Sequence, residues 1–325
     1  MTTDVRVGVV GVGHLGRHHA RLLAATPGAR LVAVSDLSVE RAQAAAATTG
    51  AEVFTDYRSL IGKVDAVSIA VPTVDHVTVA REFLNAGVHV LVEKPMTTTL
   101  AEAEELIALA EQVGRVLAVG HTERFNPAVA AAIPLVKHPR FIEVHRLSGF
   151  PERSLDIDVV FDVMIHDLDI VLAIDPSEVV SVTAVGVPVL SPKVDIANAR
   201  LKMASGCTVN LTASRISRDK VRKVRFFQPD MYVSVDYGEQ ELDVWRIVPQ
   251  AGGRPKIEGG ALPVEKGEPL GRELHDFVDA VRTGRPPRVT GRDGYRALQL
   301  ATRVAEAIEM NEQSVGGAHG VPNVV

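Results

Sequence analysis

The segment from Val5 to Asp36 limits the possible folds more than any other part of the chain. Its first residues, Val5–Val10, form an apolar run rich in β-branched side chains, which is typical of a buried strand. The run is followed at once by G-V-G-H-L-G, which fits the pattern G-x-G-x-x-G and precedes a helical segment. A second apolar run ends at Asp36, twenty residues beyond Gly16. This order of strand, glycine turn, helix, strand and acid predicts a dinucleotide-binding site.

Each glycine of this turn has its own physical task. Gly11 permits the tight turn, Gly13 lets the backbone approach a pyrophosphate, and Gly16 lets helix and strand pack closely. The N-terminus of the following helix favours the negative charge of that pyrophosphate. His14 and Leu15 lie between the last two glycines. We therefore expect the whole turn to line the cofactor.

The acid at the end of the second run predicts NAD rather than NADP. The Asp36 carboxylate can accept hydrogen bonds from both ribose hydroxyls. A 2′-phosphate at this place would meet a like charge at roughly 4 Å, which costs about 1–4 kcal/mol. Leu37 follows, so no adjacent arginine compensates, although Arg41 one helical turn further on weakens the preference.

Composition excludes several classes of partner. The 325 residues are enough for about two domains, and the net charge of −5 gives no support for a nucleic-acid or anionic-membrane partner. The single cysteine, Cys207, lies in an alternating apolar run, so we expect a core residue in a chain suited to a reducing cytoplasm. No apolar run reaches the roughly 18 residues of a membrane span, and the first strand begins too early for a signal peptide.

The pattern of elements changes near residue 120. Before it, strands and helices alternate, which predicts a parallel, doubly wound sheet in a domain of residues 1–121. After it, residues 122–325 are rich in alternating apolar and polar positions, which predicts an α+β domain with a large, mainly antiparallel sheet. One face of that sheet would suit a partner subunit. We expect strands at 179–189, 197–204, 208–216, 221–227, 231–237 and 242–248, a mobile loop at 249–269, helices at 158–174, 272–282 and 295–311, and disorder from residue 316.

A lysine follows the fifth strand of the first domain. The sequence Glu93-Lys94-Pro95 closes this strand, so Lys94 is expected in the crevice at the carboxyl ends of the strands. A solvated surface charge is the plainer interpretation of a lysine at a strand end, but this location favours a functional one. Pro95 could adopt a cis bond in a tight turn.

Four polar side chains mark an otherwise apolar helix. At 3.6 residues per turn, Asp158, Asp162, His166 and Asp169 fall within an arc of roughly 80°. Buried charges must be paired, solvated or part of a site, so a satisfied core histidine is the plainer alternative to an active site. A metal site fits the ligand types, but we favour none, because nicotinamide chemistry needs no metal.

Together the two groups of residues could oxidise an alcohol. His166 is suited to accept the hydroxyl proton because its pKa lies near neutrality. Asp162 could hold the imidazole tautomer, and Lys94 could stabilise negative charge on the substrate oxygen.

The chain resembles the Gfo/Idh/MocA family of oxidoreductases. The matching pieces are the glycine turn with Asp36, V-P-T with His76, Glu93-Lys94-Pro95, and Asp162-x-x-x-His166-x-x-Asp169. The resemblance implies an N-terminal Rossmann domain, NAD(P)-dependent oxidation or reduction of a sugar or cyclitol hydroxyl, and dimers or tetramers formed through the open sheet. It implies catalytic roles for Lys94, Asp162 and His166, and places Thr73, His76 and Glu93 on the nicotinamide side.

Two stretches resemble one branch of that family more closely. G-H-T-E-R-F-N-P at residues 120–127 and M-I-H-D-L-D-I at 164–170 look like the UDP-N-acetylglucosamine 3-dehydrogenases. This implies a nucleotide-sugar substrate, with Arg124, Asn126 and Asp169 on the substrate side. The diphosphate would need donors, and the candidates are Arg124, Arg146, Arg215 and Lys220, each of which could equally be a surface charge.

Two other functions stay open. One is a different enzyme of the same fold, such as an inositol or free-sugar dehydrogenase or a biliverdin-type reductase. The other is a non-catalytic NAD-sensing regulator, which would need only the glycine turn and Asp36. The joint presence of Lys94, Asp162 and His166 favours catalysis.

Overall fold

The computed structural model describes residues 4–150, 157–250 and 254–316. The chain folds into two compact units. The first contains Met1–Phe125 and Gly267–Arg296, and the second contains Asn126–Lys266 and Ala297–Val325. Residues 267–296 therefore return to the first unit, which the sequence patterns did not indicate; the predicted division between residues 121 and 122 stays a prediction.

The first unit contains a six-stranded parallel sheet in the order β3-β2-β1-β4-β5-β6. Its strands are β1 (Val5–Val10), β2 (Ala29–Ser35), β3 (Glu52–Phe54), β4 (Ala66–Ile69), β5 (His89–Glu93) and β6 (Leu117–Gly120). Its helices are α1 (Gly16–Leu23), α2 (Val39–Thr49), α3 (Thr73–Asn85), α4 (Leu100–Val113), α7 (Pro269–Thr283) and the first residues of α8 (Gly291–Gly316). This is the strand order of dinucleotide-binding folds, and it confirms the predicted Rossmann sheet.

Local sequence explains where these helices begin and end. Thr99 and Glu102 form a reciprocal capping box at the start of α4, and the helix ends at Gly114, whose φ of 65° is left-handed. In the same unit, α7 packs its buried Leu274 and Phe277 into the core formed by the sheet and α1. The C-terminal part of the chain thus completes the core of the N-terminal fold.

The second unit contains an eight-stranded sheet in the order β14-β13-β12-β11-β7-β10-β9-β8. Its strands are β7 (Phe141–Leu147), β8 (Val179–Val187), β9 (Ile196–Met203), β10 (Thr208–Ser214), β11 (Val221–Gln228), β12 (Met231–Asp236), β13 (Glu241–Val248) and β14 (Lys256–Leu262). Its helices are α5 (Pro127–Ala132), α6 (Ile165–Ile174) and the rest of α8. Only β7 and β10 pair in parallel among the described strands of this sheet, so the predicted mainly antiparallel sheet is confirmed.

The prediction of one loop over residues 249–269 was wrong, because Lys256–Leu262 pair with β13. The strand was missed because Gly259 and Gly260 interrupt the apolar alternation. Gly259 is needed there, since a Cβ would lie 2.0 Å from the carbonyl oxygen of Val244. Residues 251–253 and the tail from residue 317, where disorder was predicted, lie outside the described residues.

The helical segment predicted over residues 158–174 is present, but it is not a regular α-helix throughout. Val160–Met164 form a π-helical turn, and the α-helix begins only at Ile165. A π turn contains more residues than an α turn, so positions before Met164 are rotated relative to an ideal helix. The narrow arc calculated for the four polar side chains therefore does not describe this segment.

Among the described residues, no helix is both long and apolar enough to cross a membrane.

Candidate active site

The glycine turn between β1 and α1 cannot carry larger residues at two of its positions. Gly11 has a left-handed φ of 80°, and a Cβ there would lie 2.7 Å from the carbonyl oxygen of Ala70. A Cβ at Gly16 would lie 1.7 Å from the carbonyl oxygen of Gly11. These two glycines therefore hold the turn against β4 and against the start of α1.

The middle glycine is different. A Cβ at Gly13 would meet no atom of the protein within 4 Å. The space above the Gly13 backbone is therefore open, next to the exposed His14 and Leu15 and the first turn of α1. A helix start with open backbone in front of it fits a pyrophosphate, as predicted from the sequence.

The Asp36 carboxylate lies at the end of β2 and is held in place from three sides. It accepts hydrogen bonds from the backbone N–H of Val12 at 2.9 Å and of Ser38 at 2.9 Å. The Arg41 guanidinium donates to the same carboxylate at 2.7 and 3.0 Å. Burial raises the pKa of Asp36, but these hydrogen bonds and the charge of Arg41 outweigh it and leave the pKa below its usual value.

The carboxyl ends of β1, β4 and β5 are aligned by register, with Val10 opposite Ile69 and Ile69 opposite Val92. This brings the glycine turn, the start of α3 and Lys94 to one edge of the sheet. Lys94 is half-buried, and its bond to Pro95 is cis. The structure thus places the predicted N-terminal site residues together.

His76 joins two of these segments. This buried side chain contacts the carbonyl oxygens of Pro95 and Val71, each at 2.9 Å. Burial lowers its pKa despite both contacts. Thr73 is half-buried at the first position of α3. The arrangement favours a supporting role for His76 between the two strand ends, whereas Thr73 lies at the edge itself.

Glu93 is also buried, and a histidine that the sequence analysis missed is next to it. His19 Nε2 lies 3.1 Å from Glu93 Oε1, and His19 Nδ1 lies 2.8 Å from the Ser68 hydroxyl. Burial raises the pKa of Glu93, but His19 and the charge of Lys94 outweigh it and lower the pKa. His19 could have been found from its place on the apolar face of α1, four residues before Leu23.

The second unit holds the other predicted catalytic residues. Asp162 lies in the π-helical turn and His166 in the first turn of α6, and both are half-buried. Asp169 is buried, so its predicted contact with substrate is less favoured. Asp158 accepts a hydrogen bond from the Val194 N–H at 2.8 Å and therefore anchors the segment before the helix.

Two arginines proposed as diphosphate donors are instead buried in ion pairs. Arg146 bonds the carboxylate of Asp167 at 2.7 and 2.9 Å and lies over the Tyr237 ring. Arg215, 1% exposed, bonds Asp195 at 2.8 Å. The sequence held the signal, because Arg146 lies on the buried face of β7 and Arg215 continues the period-2 alternation of buried residues just beyond the end of β10.

The remaining substrate-side candidates differ in exposure. Asn126 is buried; its side chain accepts from the Ala128 N–H at 3.1 Å and donates to the Tyr237 carbonyl at 2.9 Å. This geometry favours an N-cap role in α5 over substrate contact. Arg124 is half-buried in the first unit, and Lys220 is exposed in the second. No group of three or more His, Cys, Asp or Glu side chains in the described ranges is arranged to hold a metal ion.

Comparison with known proteins decides the family. The family profile GFO_IDH_MocA, described as an oxidoreductase family with an NAD-binding Rossmann fold, matches residues 5–121. The UDP-N-acetylglucosamine 3-dehydrogenase of Acidithiobacillus ferrooxidans is 41% identical over 307 residues, which are 94% of this chain and 97% of that protein. The chain belongs to the Gfo/Idh/MocA oxidoreductase family.

Other proteins are similar over most of the length of the chain as well. The inositol 2-dehydrogenase of Rhizobium meliloti is 26% identical over 95% of this chain and 98% of its own. The solved structure of the Acidithiobacillus ferrooxidans enzyme superposes with a TM-score of 0.88 at 40% identity, covering 94% of this chain and 98% of the other. A levoglucosan dehydrogenase solved with NADH and levoglucosan, at 20% identity and a TM-score of 0.85, covers 95% of this chain and 98% of its own and shows the shared fold.

The residues of the first unit fit the NAD that this family binds. The open backbone at Gly13 fits the pyrophosphate, and the Asp36 carboxylate is placed to accept from the ribose hydroxyls. When bound, NAD accepts a hydride on its nicotinamide ring.

Proposed function

We propose that this protein oxidises a hydroxyl group of a nucleotide sugar with NAD, and that its substrate is UDP-N-acetylglucosamine or a close analogue. The observation that carries the proposal is the 41% identity to a UDP-N-acetylglucosamine 3-dehydrogenase over nearly the whole length of both chains. The triad of Lys94, Asp162 and His166 supports it, because those residue types supply what alcohol oxidation needs.

In this proposal His166 is the general base. Its imidazole accepts the proton of the substrate hydroxyl, since an unperturbed histidine titrates near neutral pH. Asp162, four residues earlier, orients the ring and stabilises its charged form. Lys94 donates a hydrogen bond to the substrate oxygen and stabilises the negative charge that develops as the hydride leaves carbon.

The diphosphate of a nucleotide sugar needs cationic or N–H donors. With Arg146 and Arg215 engaged by carboxylates, Lys220 and Arg124 are the remaining candidates from the sequence. Loss of either charge is expected to raise the KM for a UDP-sugar and to leave the KM for NAD unchanged.

A substrate panel followed by the absorbance of NADH tests the proposal directly. UDP-N-acetylglucosamine, UDP-glucose, free N-acetylglucosamine, myo-inositol and biliverdin are compared with NAD or NADH as required. Turnover with the UDP-sugars and a 3-keto product is the expected result. Turnover confined to myo-inositol would favour the second candidate, which the 26% identity to an inositol 2-dehydrogenase supports. Tight NAD binding without turnover on any compound would favour a sensor.

We also propose that copies of the chain associate through the outer face of the eight-stranded sheet. Four aromatic side chains lie opposite one another across neighbouring strands in the order Phe141, Phe227, Tyr232 and Trp245. Phe227 and Trp245 are 36% and 44% exposed. An exposed aromatic row of this kind is typical of an interaction surface. Light scattering of Trp245→Glu against the unmodified protein tests this, and equal masses would contradict it.

A further inference from the structure

A strongly basic stretch of the second unit leads into β11. Residues 218–225 have the sequence R-D-K-V-R-K-V-R, with five cations and one carboxylate. Successive side chains of a strand point to opposite faces of its sheet. On the outer face, Lys223 forms an ion pair with Asp236 at 3.2 Å. Arg225, on the same face, forms one with Glu143 at 2.8 Å. The charges that this stretch presents on the outer face of the strand are therefore compensated.

Arg222 lies on the opposite face of the same strand. Val224 and Phe226 share this face and are buried. They belong to the core cluster that also contains Ile165 and Leu168 of α6. The face that carries Arg222 is therefore the one on which α6 packs, and the Arg222 side chain itself is half-buried.

The sheet register places Arg222 beside the start of α6. Arg222 is paired with Arg146 of β7, so the two side chains stand on one face with Cβ atoms about 4.5–5.5 Å apart. The Arg146 guanidinium donates to both carboxylate oxygens of Asp167, at 2.7 and 2.9 Å. Asp167 lies in the first turn of α6 and follows His166 directly. The proposed base and Arg222 are thus connected through one buried ion pair.

The charge of Arg222 is not compensated in the same way. On its other side, the Tyr237 N–H donates to the Arg222 carbonyl at 2.8 Å, and the Tyr237 ring lies 4.8 Å from the Arg146 guanidinium carbon. Within residues 4–150, 157–250 and 254–316, the Arg222 guanidinium forms no hydrogen bond or ion pair. Because like charges on facing strand positions repel each other, two arginines beside the one carboxylate of Asp167 favour a bound anion.

We propose that Arg222 binds the diphosphate of the nucleotide sugar, with the exposed Lys220 as a second cation two residues before it. A guanidinium suits this ligand, because its planar fork can donate two parallel hydrogen bonds to phosphate oxygens. The position suits it as well, since Arg222 stands next to the ion pair that holds the residue after His166. The inference rests on the proposed function, whose substrate carries the diphosphate.

Calorimetric titration of the NADH-saturated protein with UDP tests the inference. Saturation with NADH keeps UDP away from the pyrophosphate space at Gly13. Arg222→Gln should raise the Kd of UDP by about tenfold or more, because it removes charge-assisted hydrogen bonds. Arg222→Lys should lose less affinity, because it keeps a point charge without the fork. The matched control is Arg225→Gln, which removes an arginine of the same strand from the outer face and should leave this Kd unchanged.

An unchanged Kd of UDP in Arg222→Gln would overturn the inference and leave Arg222 a solvated surface charge. An equal loss in Arg225→Gln would overturn it too, because the effect would then come from net charge. So would absence of UDP binding to the unmodified protein. Turnover of UDP-N-acetylglucosamine is measured separately with NAD. UDP binding that depends on Arg222, without turnover of any sugar, would support the inference and contradict the proposed function alone; turnover with an unchanged Kd would contradict the inference alone.

Discussion

The Arg41 guanidinium donates two hydrogen bonds to the Asp36 carboxylate, at 2.7 and 3.0 Å, and the carboxylate is itself placed for the ribose of NAD. Asp36 would repel the 2′-phosphate of NADP, and it also occupies Arg41, the arginine of α2 that would otherwise be available to pair with such a phosphate. Asp36→Ala should therefore weaken NAD and release Arg41 for NADP. We expect the ratio of kcat/KM for NADP to that for NAD to rise by about tenfold or more, in line with a like-charge term of about 1–4 kcal/mol.

The control is the double variant Asp36→Ala with Arg41→Ala, measured with both cofactors. Without the guanidinium, the gain with NADP should largely disappear while the loss with NAD remains. An unchanged preference for NAD in Asp36→Ala alone would show that other groups select the cofactor.

Replacement by alanine should have different effects at two glycines of the turn. Gly13→Ala meets no protein atom within 4 Å, so the protein should keep its Tm and lose affinity for NADH, because the new methyl group stands in the pyrophosphate space. Gly16→Ala would approach the Gly11 carbonyl to 1.7 Å, so it should lower the Tm as well. Thermal unfolding and NADH fluorescence titration separate the two. Normal NADH binding by Gly13→Ala would mean that the cofactor lies elsewhere.

Acid should destabilise the protein partly through His121. Burial and the charges of Lys94 and Arg124 lower its pKa to about 3, whereas the unfolded state protonates near the ordinary histidine value. The unfolded state therefore binds a proton that the folded state does not, and stability is lost as the pH falls from about 7 towards 3, by roughly 1.4 kcal/mol per unit. His121→Gln removes this term. Its difference from the unmodified protein in urea unfolding should shrink steadily below about pH 6.5; a difference independent of pH would contradict the assignment.

The Rossmann sheet and its glycine turn could be predicted from the sequence, because both depend on local chemistry. Buried parallel strands need continuous β-branched runs such as Val5–Val10, and a tight turn against β4 needs a residue that tolerates positive φ, as Gly11 does. The family resemblance rested on short motifs of the same local kind. The comparisons confirm it.

What the sequence did not reveal depends on distant partners. Hydrophobic periodicity identified the helix that contains Leu274 but not the sheet on which it packs, so the return of this helix to the first unit was missed. The charge of Arg215 suggested an accessible side chain. In the structure, however, an ion pair with the buried Asp195 compensates that charge and allows Arg215 to be buried. The π-helical turn was missed because no residue type specifies one.

The buried pair of Arg215 and Asp195 should be structural. Asp195 also accepts backbone hydrogen bonds from Val189, Leu190 and Ser191, so removal of the arginine leaves a fixed, buried carboxylate without its countercharge. Arg215→Met should lower the free energy of unfolding by about 3–5 kcal/mol. Its KM for a UDP-sugar should stay unchanged at a temperature where it is folded. A raised KM without a loss of stability would instead support a role for Arg215 in substrate binding.

The proposed mechanism makes its clearest prediction for His166 and Lys94. His166→Asn keeps a polar side chain but removes the base, and Lys94→Ala removes the cation that stabilises the substrate oxygen. Each should lower kcat by about a hundredfold or more, which is the usual contribution of a general base or of one electrostatic donor. NADH should still bind to His166→Asn, because the glycine turn and Asp36 lie in the other unit. Stopped-flow turnover and NADH titration of the same preparations check both points, and a variant that keeps near-normal turnover would remove its residue from the mechanism.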